Sequence, residues 1–118
     1  MKFPVGSIHD DSLRLENLDK GMLLSCLNSS KLFSVDYLLI EPNAIESTIV
    51  HKKTNEFLFV LDGEIIGCVG GKDCSLQAGS YIEIPKGVPH SFENVSNDSC
   101  KILSVCCPCY DSTDVYKI

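Results

Sequence analysis

Two stretches of the chain carry residues that could do chemistry. In TIVHKKTNEF, residues 48–57, His51 stands five positions before Glu56. An imidazole and a carboxylate are both good ligands for first-row divalent metals, and the polar run between them reads as a turn. The pair is therefore either half of a metal site or the two flanks of a surface hairpin. The second stretch is CCPC, Cys106 to Cys109, a C-x-x-C arrangement with a proline inside. A redox motif of that kind needs a strand leading into a helix, and only nine residues follow Cys109, among them Asp111, Ser112, Thr113 and Asp114. A zinc site needs a second pair of ligands at suitable spacing, and none is in evidence. ILSVCC, with Cys106 and Cys107, is thus expected to be a buried strand that ends at Pro108, and Cys106, Cys107 and Cys109 are expected to serve packing, since a free cysteine packs as a small apolar side chain.

The elements that must position these groups read as β-structure. SLRLENLDKGMLLSCL is the best helical candidate, but Gly21 interrupts it and no sustained three-four periodicity supports it, so short strands are expected there. From residue 31 onward the chain is a series of short β-rich runs: KLFSVDYLLIE, STIVH, EFLFVL, EIIGCV, CSLQAG, SYIEIP, HSFENV and KILSVCC. Turn signals divide them at intervals of about 8–12 residues, the spacing of a sandwich or barrel. Asp62-Gly63, between FLFVL and EIIGCV, predicts a tight hairpin. Alternation places His90, Phe92 and Asn94 on one face of a strand.

Composition narrows the classes of function. A chain of 118 residues, 44% hydrophobic and 22% charged, fits one globular domain with a real core. Its formal charge of −6, with Lys52-Lys53 as the only adjacent basic pair, argues against nucleic acid as a partner. No apolar run reaches the length of a membrane span, and MKFPVGSIHDD lacks the apolar region of a signal peptide, so a cytoplasmic location is expected. Seven cysteines, an odd number, do not suggest a disulfide framework in that setting.

The stretch from Gly79 to Asn94, GSYIEIPKGVPHSFEN, has a pattern of its own: Gly79, Pro85, Gly87, His90 and Asn94 at fixed intervals. It resembles the second motif of the cupin superfamily at all five positions. Counting back from Gly63, Glu56 and His51 fall where the first cupin motif has its glutamate and second histidine. The first histidine of that motif would be at 49, where this chain has Ile49, and the preceding glycine position holds Asn43. The resemblance covers about residues 31–118.

The resemblance implies an all-β fold, a jelly-roll β-barrel formed by residues 31–118, with residues 1–30 as an N-terminal extension of strand and turn. It also implies a metal inside the barrel held by His51, Glu56 and His90. Two histidines and one carboxylate with open positions match the ligand set of non-haem iron oxygenases, and the same set suits Fe, Mn, Ni, Co or Zn. Ligation needs neutral imidazole, so metal binding is expected to weaken as pH falls through about 6–7. On this basis the chain is either a small metal-dependent enzyme, a dioxygenase or isomerase acting on a small polar molecule, or a non-catalytic cupin that binds a small ligand as a sensor or interaction module. Small cupins commonly pair, so a homodimer is expected, with the N-terminal segment KFPVGSIHDDSLRLENL either as a contact or folded onto its own barrel.

Overall fold

The computed structural model describes residues 4–118; residues 1–3 of the N-terminal segment lie outside the described residues. Eleven strands run in the order β1 (Glu16–Asp19), β2 (Met22–Ser29), β3 (Ser34–Ile40), β4 (Ile49–Val50), β5 (Asn55–Asp62), β6 (Glu64–Val69), β7 (Lys72–Gln77), β8 (Tyr81–Ile84), β9 (His90–Glu93), β10 (Cys100–Cys107) and β11 (Tyr116–Lys117). They form two antiparallel sheets. One has the order β1-β2-β3-β10-β5-β8 and the other β11-β4-β9-β6-β7. The architecture is a jelly-roll barrel, as expected, and no helix among the described residues is long and apolar enough to cross a membrane.

Each strand that closes the barrel shows the period-two pattern that one buried face demands. Along β10, Cys100, Ile102, Ser104 and Cys106 point inward while Lys101, Leu103 and Val105 lie partly exposed. Along β5, Leu58 and Val60 are buried and Phe57 and Leu61 are exposed. The inward residues meet in one core that includes Met22, Leu24, Leu38, Ile40, Ile65, Ile84 and Phe92. Burying such a set drives closure, at about 25 cal/mol per Å² of apolar surface removed from water.

Residues 16–29 of the N-terminal segment take part in the sheet. Gly21 (φ +77°) turns β1 into β2, β2 pairs with β3 of the same chain, and Met22 and Leu24 enter the core.

One expectation is corrected. Asp62-Gly63 does not close a hairpin between neighbouring strands. β5 pairs with β10 and β8 in one sheet, and β6 pairs with β7 and β9 in the other. The chain turns a corner between the sheets at Gly63, where φ is +84° and an added Cβ would lie 2.8 Å from the Ser99 carbonyl oxygen. The local signal for a turn was sound, but the partner of each strand is chosen by packing across the whole barrel. A two-residue hairpin with both φ values positive is at Gly70-Gly71, between β6 and β7.

Candidate metal centre and cavity

His90 opens β9, and its place follows from the turn before it. Pro85 ends β8, Gly87 adopts φ +83°, and the backbone delivers His90 to the inner face with Phe92 and Asn94 on the same side, all three buried. His51 sits just after β4, and Glu56 is the second residue of β5. The two motifs are bound together directly. The Gly87 amide donates to the His51 carbonyl at 2.7 Å, the Lys86 amide to the Asn55 side chain at 2.9 Å, and Ile49 pairs with His90 across β4 and β9.

The structure brings the three sequence-derived residues to one point. One ligand atom from each of His51, Glu56 and His90 lies within 4.8 Å of the other two. His90 Nε2 is 3.7 Å from Glu56 Oε1, and the two imidazole rings are 5.3 Å apart between centroids. His51 and His90 are only 5% and 2% exposed. Each ring places Nδ1 3.0 Å from a backbone carbonyl, His51 from that of Asp114 and His90 from that of Val88. A carbonyl only accepts, so each Nδ1 carries a proton, and Nε2 is the ring nitrogen left for another partner. Burial pushes the His90 imidazole below its usual pKa, and His51 beside it acts in the same direction; the Val88 carbonyl and Glu56 oppose. Glu56 is held in turn by Ser104 Oγ, which donates to Oε2 at 3.2 Å. Two oriented imidazoles and a supported carboxylate form a donor set, with outer hydrogen bonds, that fits a divalent metal.

Asp114 is the supporting residue the sequence did not reveal. It sits 2% exposed in a short 3₁₀ turn, Ser112–Asp114, near the end of the chain. Its carbonyl orients His51, and its carboxylate accepts from the amides of Lys52 and Lys53 at 3.1 and 3.0 Å. The Lys52-Lys53 pair thus matters through its backbone, while both side chains are exposed. No spacing rule connects residue 114 to residue 51; only the closed barrel does.

Two departures from the family pattern have physical answers. Asn43, in the glycine position, adopts φ +67°, a conformation that asparagine tolerates better than other residues with a side chain. Ile49 lines the cavity as an apolar wall and leaves that side of the centre without a ligand. Asn94 satisfies backbone groups: its amide donates to the carbonyls of Ile40 and Asp98, and its oxygen accepts from Ser96.

The cluster opens on a cavity of about 260 Å³ with mostly apolar walls, including Met22, Leu24, Leu38, Ile40 and Phe92. Its polar groups beyond the three ligands include Asp36, Glu46 and Tyr110. Tyr81, Glu83 and Lys101 do not line it. Cys106 lies inside next to Glu56, with a thiol pKa pushed up to about 12 by burial and then by the Glu56 charge, so it stays a packed thiol. Cys107 is exposed and Cys109 half-buried, and both are free.

With fold and cluster in place, comparison with known proteins decides the family. Residues 37–106 match the Cupin domain family. The chain is a cupin. HTH-type transcriptional regulator PuuR of Escherichia coli (strain K12) is 31% identical over 81 residues, 69% of this chain, which spans less than half of that relative's length (44%). Quercetin 2,3-dioxygenase of Bacillus subtilis (strain 168) is 42% identical over 48 residues, 41% of this chain and 14% of that enzyme. Among solved structures, Streptomyces PAC13 with uridine superposes with a TM-score of 0.81 over 100% of this chain and 92% of that one, at 13% identity, a likeness of fold.

Proposed function

We propose that this cupin binds a divalent metal through His51, Glu56 and His90 and holds a small polar ligand beside it, in the manner of a metal-dependent dioxygenase or isomerase. The observation that carries the reading is the convergence of three ligand atoms within 4.8 Å on the wall of a cavity, with both imidazoles oriented by backbone carbonyls. A bound ion would supply Lewis acidity or, if oxidisable, activation of dioxygen. The chain's own residues do the rest. His51 and His90 present Nε2, Ser104 fixes Glu56, Ile49 and the apolar walls exclude water, and about 260 Å³ limits the occupant to a small molecule.

The family's fourth ligand is missing here, because Ile49 stands where its first histidine would be. Three protein ligands are enough for catalytic sites that keep open positions. The test is elemental analysis of protein purified without chelator and after reconstitution with Fe, Mn, Ni, Co or Zn. About one metal per chain is expected, falling to background in His90→Ala and Glu56→Ala; no metal in the wild type after reconstitution would end the proposal.

A second reading has its own support. The relative that matches over 81 residues is a transcriptional regulator, which favours a ligand-sensing cupin without turnover. Metal and ligand binding without consumption of dioxygen or conversion of ligand would select it.

A further inference from the structure

The Glu46 carboxyl sits uneasily with a purely structural role. It hangs from the segment between β3 and β4, which is pinned to β9: the Glu46 amide donates to the Phe92 carbonyl at 2.9 Å, and Ile45 bridges to Glu93. The side chain lines the same cavity as His51, Glu56 and His90. Its Oε1 is buried and has no hydrogen-bond partner among the described residues. Buried polar atoms are almost always paired, because leaving one unpaired forfeits its hydration with nothing in return. A cavity-lining carboxyl with one oxygen closed off and unpaired is best explained by a partner that arrives with the cavity's occupant.

We propose that Glu46 is the residue through which the cavity grips its ligand, donating a carboxylic acid O–H to an acceptor oxygen of the molecule that sits beside the metal. The reading rests on the metal-and-ligand function proposed above. Glu46 is outside the group of atoms that lie within 4.8 Å of one another at the centre, so it is assigned to the ligand and not to the metal. In the metal-free barrel, burial is the main cause that raises its pKa to about 8, with the Glu56 charge adding and the Phe92 backbone amide opposing, so the surroundings favour the protonated acid. Asp36, also on the cavity wall, is raised by burial as well, though Ser34 already donates to it at 3.1 Å. The ligand class is therefore a small, oxygen-bearing polar molecule that offers one group to the metal and an acceptor oxygen to Glu46.

Two substitutions separate this role from packing. Glu46→Gln keeps the shape and a donor, and Glu46→Leu removes both oxygens. The probes are kojic acid and tropolone, titrated into Co(II)-loaded protein and read by the visible spectrum. Both offer two adjacent oxygens to a metal, but only kojic acid carries a further hydroxymethyl oxygen at its far end. Glu46→Leu is expected to bind kojic acid about tenfold or more weakly than wild type and tropolone about equally, with Glu46→Gln within about threefold for both. Equal kojic acid affinity in Glu46→Leu, or loss of Co(II) from it, would overturn the proposal. A metal-free measurement keeps the two readings apart. If Glu46 is retained for a ligand at a cost to the fold, stripped Glu46→Leu should melt about 3 °C or more above wild type, whereas a lower melting temperature would make Glu46 structural and overturn the inference. Failure of the wild type to take up Co(II) would remove the metal reading alone, and the melting comparison would still decide the role of Glu46.

Discussion

The two histidines of the centre are alike in burial and opposite in how they are held. His90 is oriented by the carbonyl of Val88, two residues back in its own turn, whereas His51 is oriented by the carbonyl of Asp114, 63 residues on. One half of the site is thus self-contained in a short stretch with its glycine and prolines. The other half is assembled only when the C-terminal turn docks on the His51 loop, where the Asp114 carboxylate takes the Lys52 and Lys53 amides. Equal ligands do not imply equal support, and the dependent histidine is the vulnerable one.

The largest effects ignore that difference. Removing any first ligand should abolish stoichiometric metal, so His51→Ala, His90→Ala and Glu56→Ala are expected to be equivalent when metal per chain is measured. The comparison breaks open one layer out. Asp114→Ala strips two partly buried amides of their acceptor and frees the turn that aims His51. Loss of an outer partner typically weakens metal binding 10–100-fold, and unpaired buried donors cost about 1–3 kcal/mol. Val88→Ala leaves both the carbonyl and the Gly87 turn in place and should change metal affinity by less than about threefold. Competitive titration against a chromophoric chelator, with urea melts of both variants, checks this. Equal metal affinity in the two variants would show that the C-terminal turn does not support the site.

A smaller change in the opposite direction comes from Ile49→His. Residue 49 lines the cavity and pairs with His90 across the sheet, so an imidazole there stands on the side of the centre that lacks a ligand. Metal affinity is expected to rise by about tenfold, roughly 1.4 kcal/mol, in the same titration. No gain would mean that Ile49 faces away from the ion and that three ligands are the full set.

This asymmetry also sets what the sequence could disclose. The second motif is legible because its geometry is local: Pro85 and Gly87 build the turn, and alternation carries His90, Phe92 and Asn94 to one face. His51 and Glu56 are legible by spacing, although nothing nearby says what holds His51. Asn43 looked like a missing glycine, and its positive φ shows that the backbone requirement is met by another residue type. Asp114 and Glu46 were invisible because their roles arise from closure, one by docking the chain end and the other by facing a cavity that exists only once both sheets meet. The Asp62-Gly63 corner was misread for the same reason: a turn is local, but a strand's neighbour is not.

The finest contrast is between the two ionisable groups whose burial works in opposite directions on pH. The His90 pKa is depressed, so the folded state resists protonating it; the stability this group contributes is present above its unfolded value of about 6.5 and is lost as pH falls through the lower folded value. The Glu46 pKa is raised from 4.5 to about 8, so the fold prefers the protonated acid; its contribution is complete below about 4.5 and is lost as pH rises through about 8. Each slope is bounded by about 1.4 kcal/mol per pH unit. In metal-free protein, urea melts from pH 4 to 9 should therefore lose the alkaline decline in Glu46→Gln while the acidic decline persists, and His90→Gln should do the reverse. If both limbs survive both substitutions, the pH dependence belongs to groups elsewhere, and the opposed burial of His90 and Glu46 has no measurable weight in the stability of the barrel.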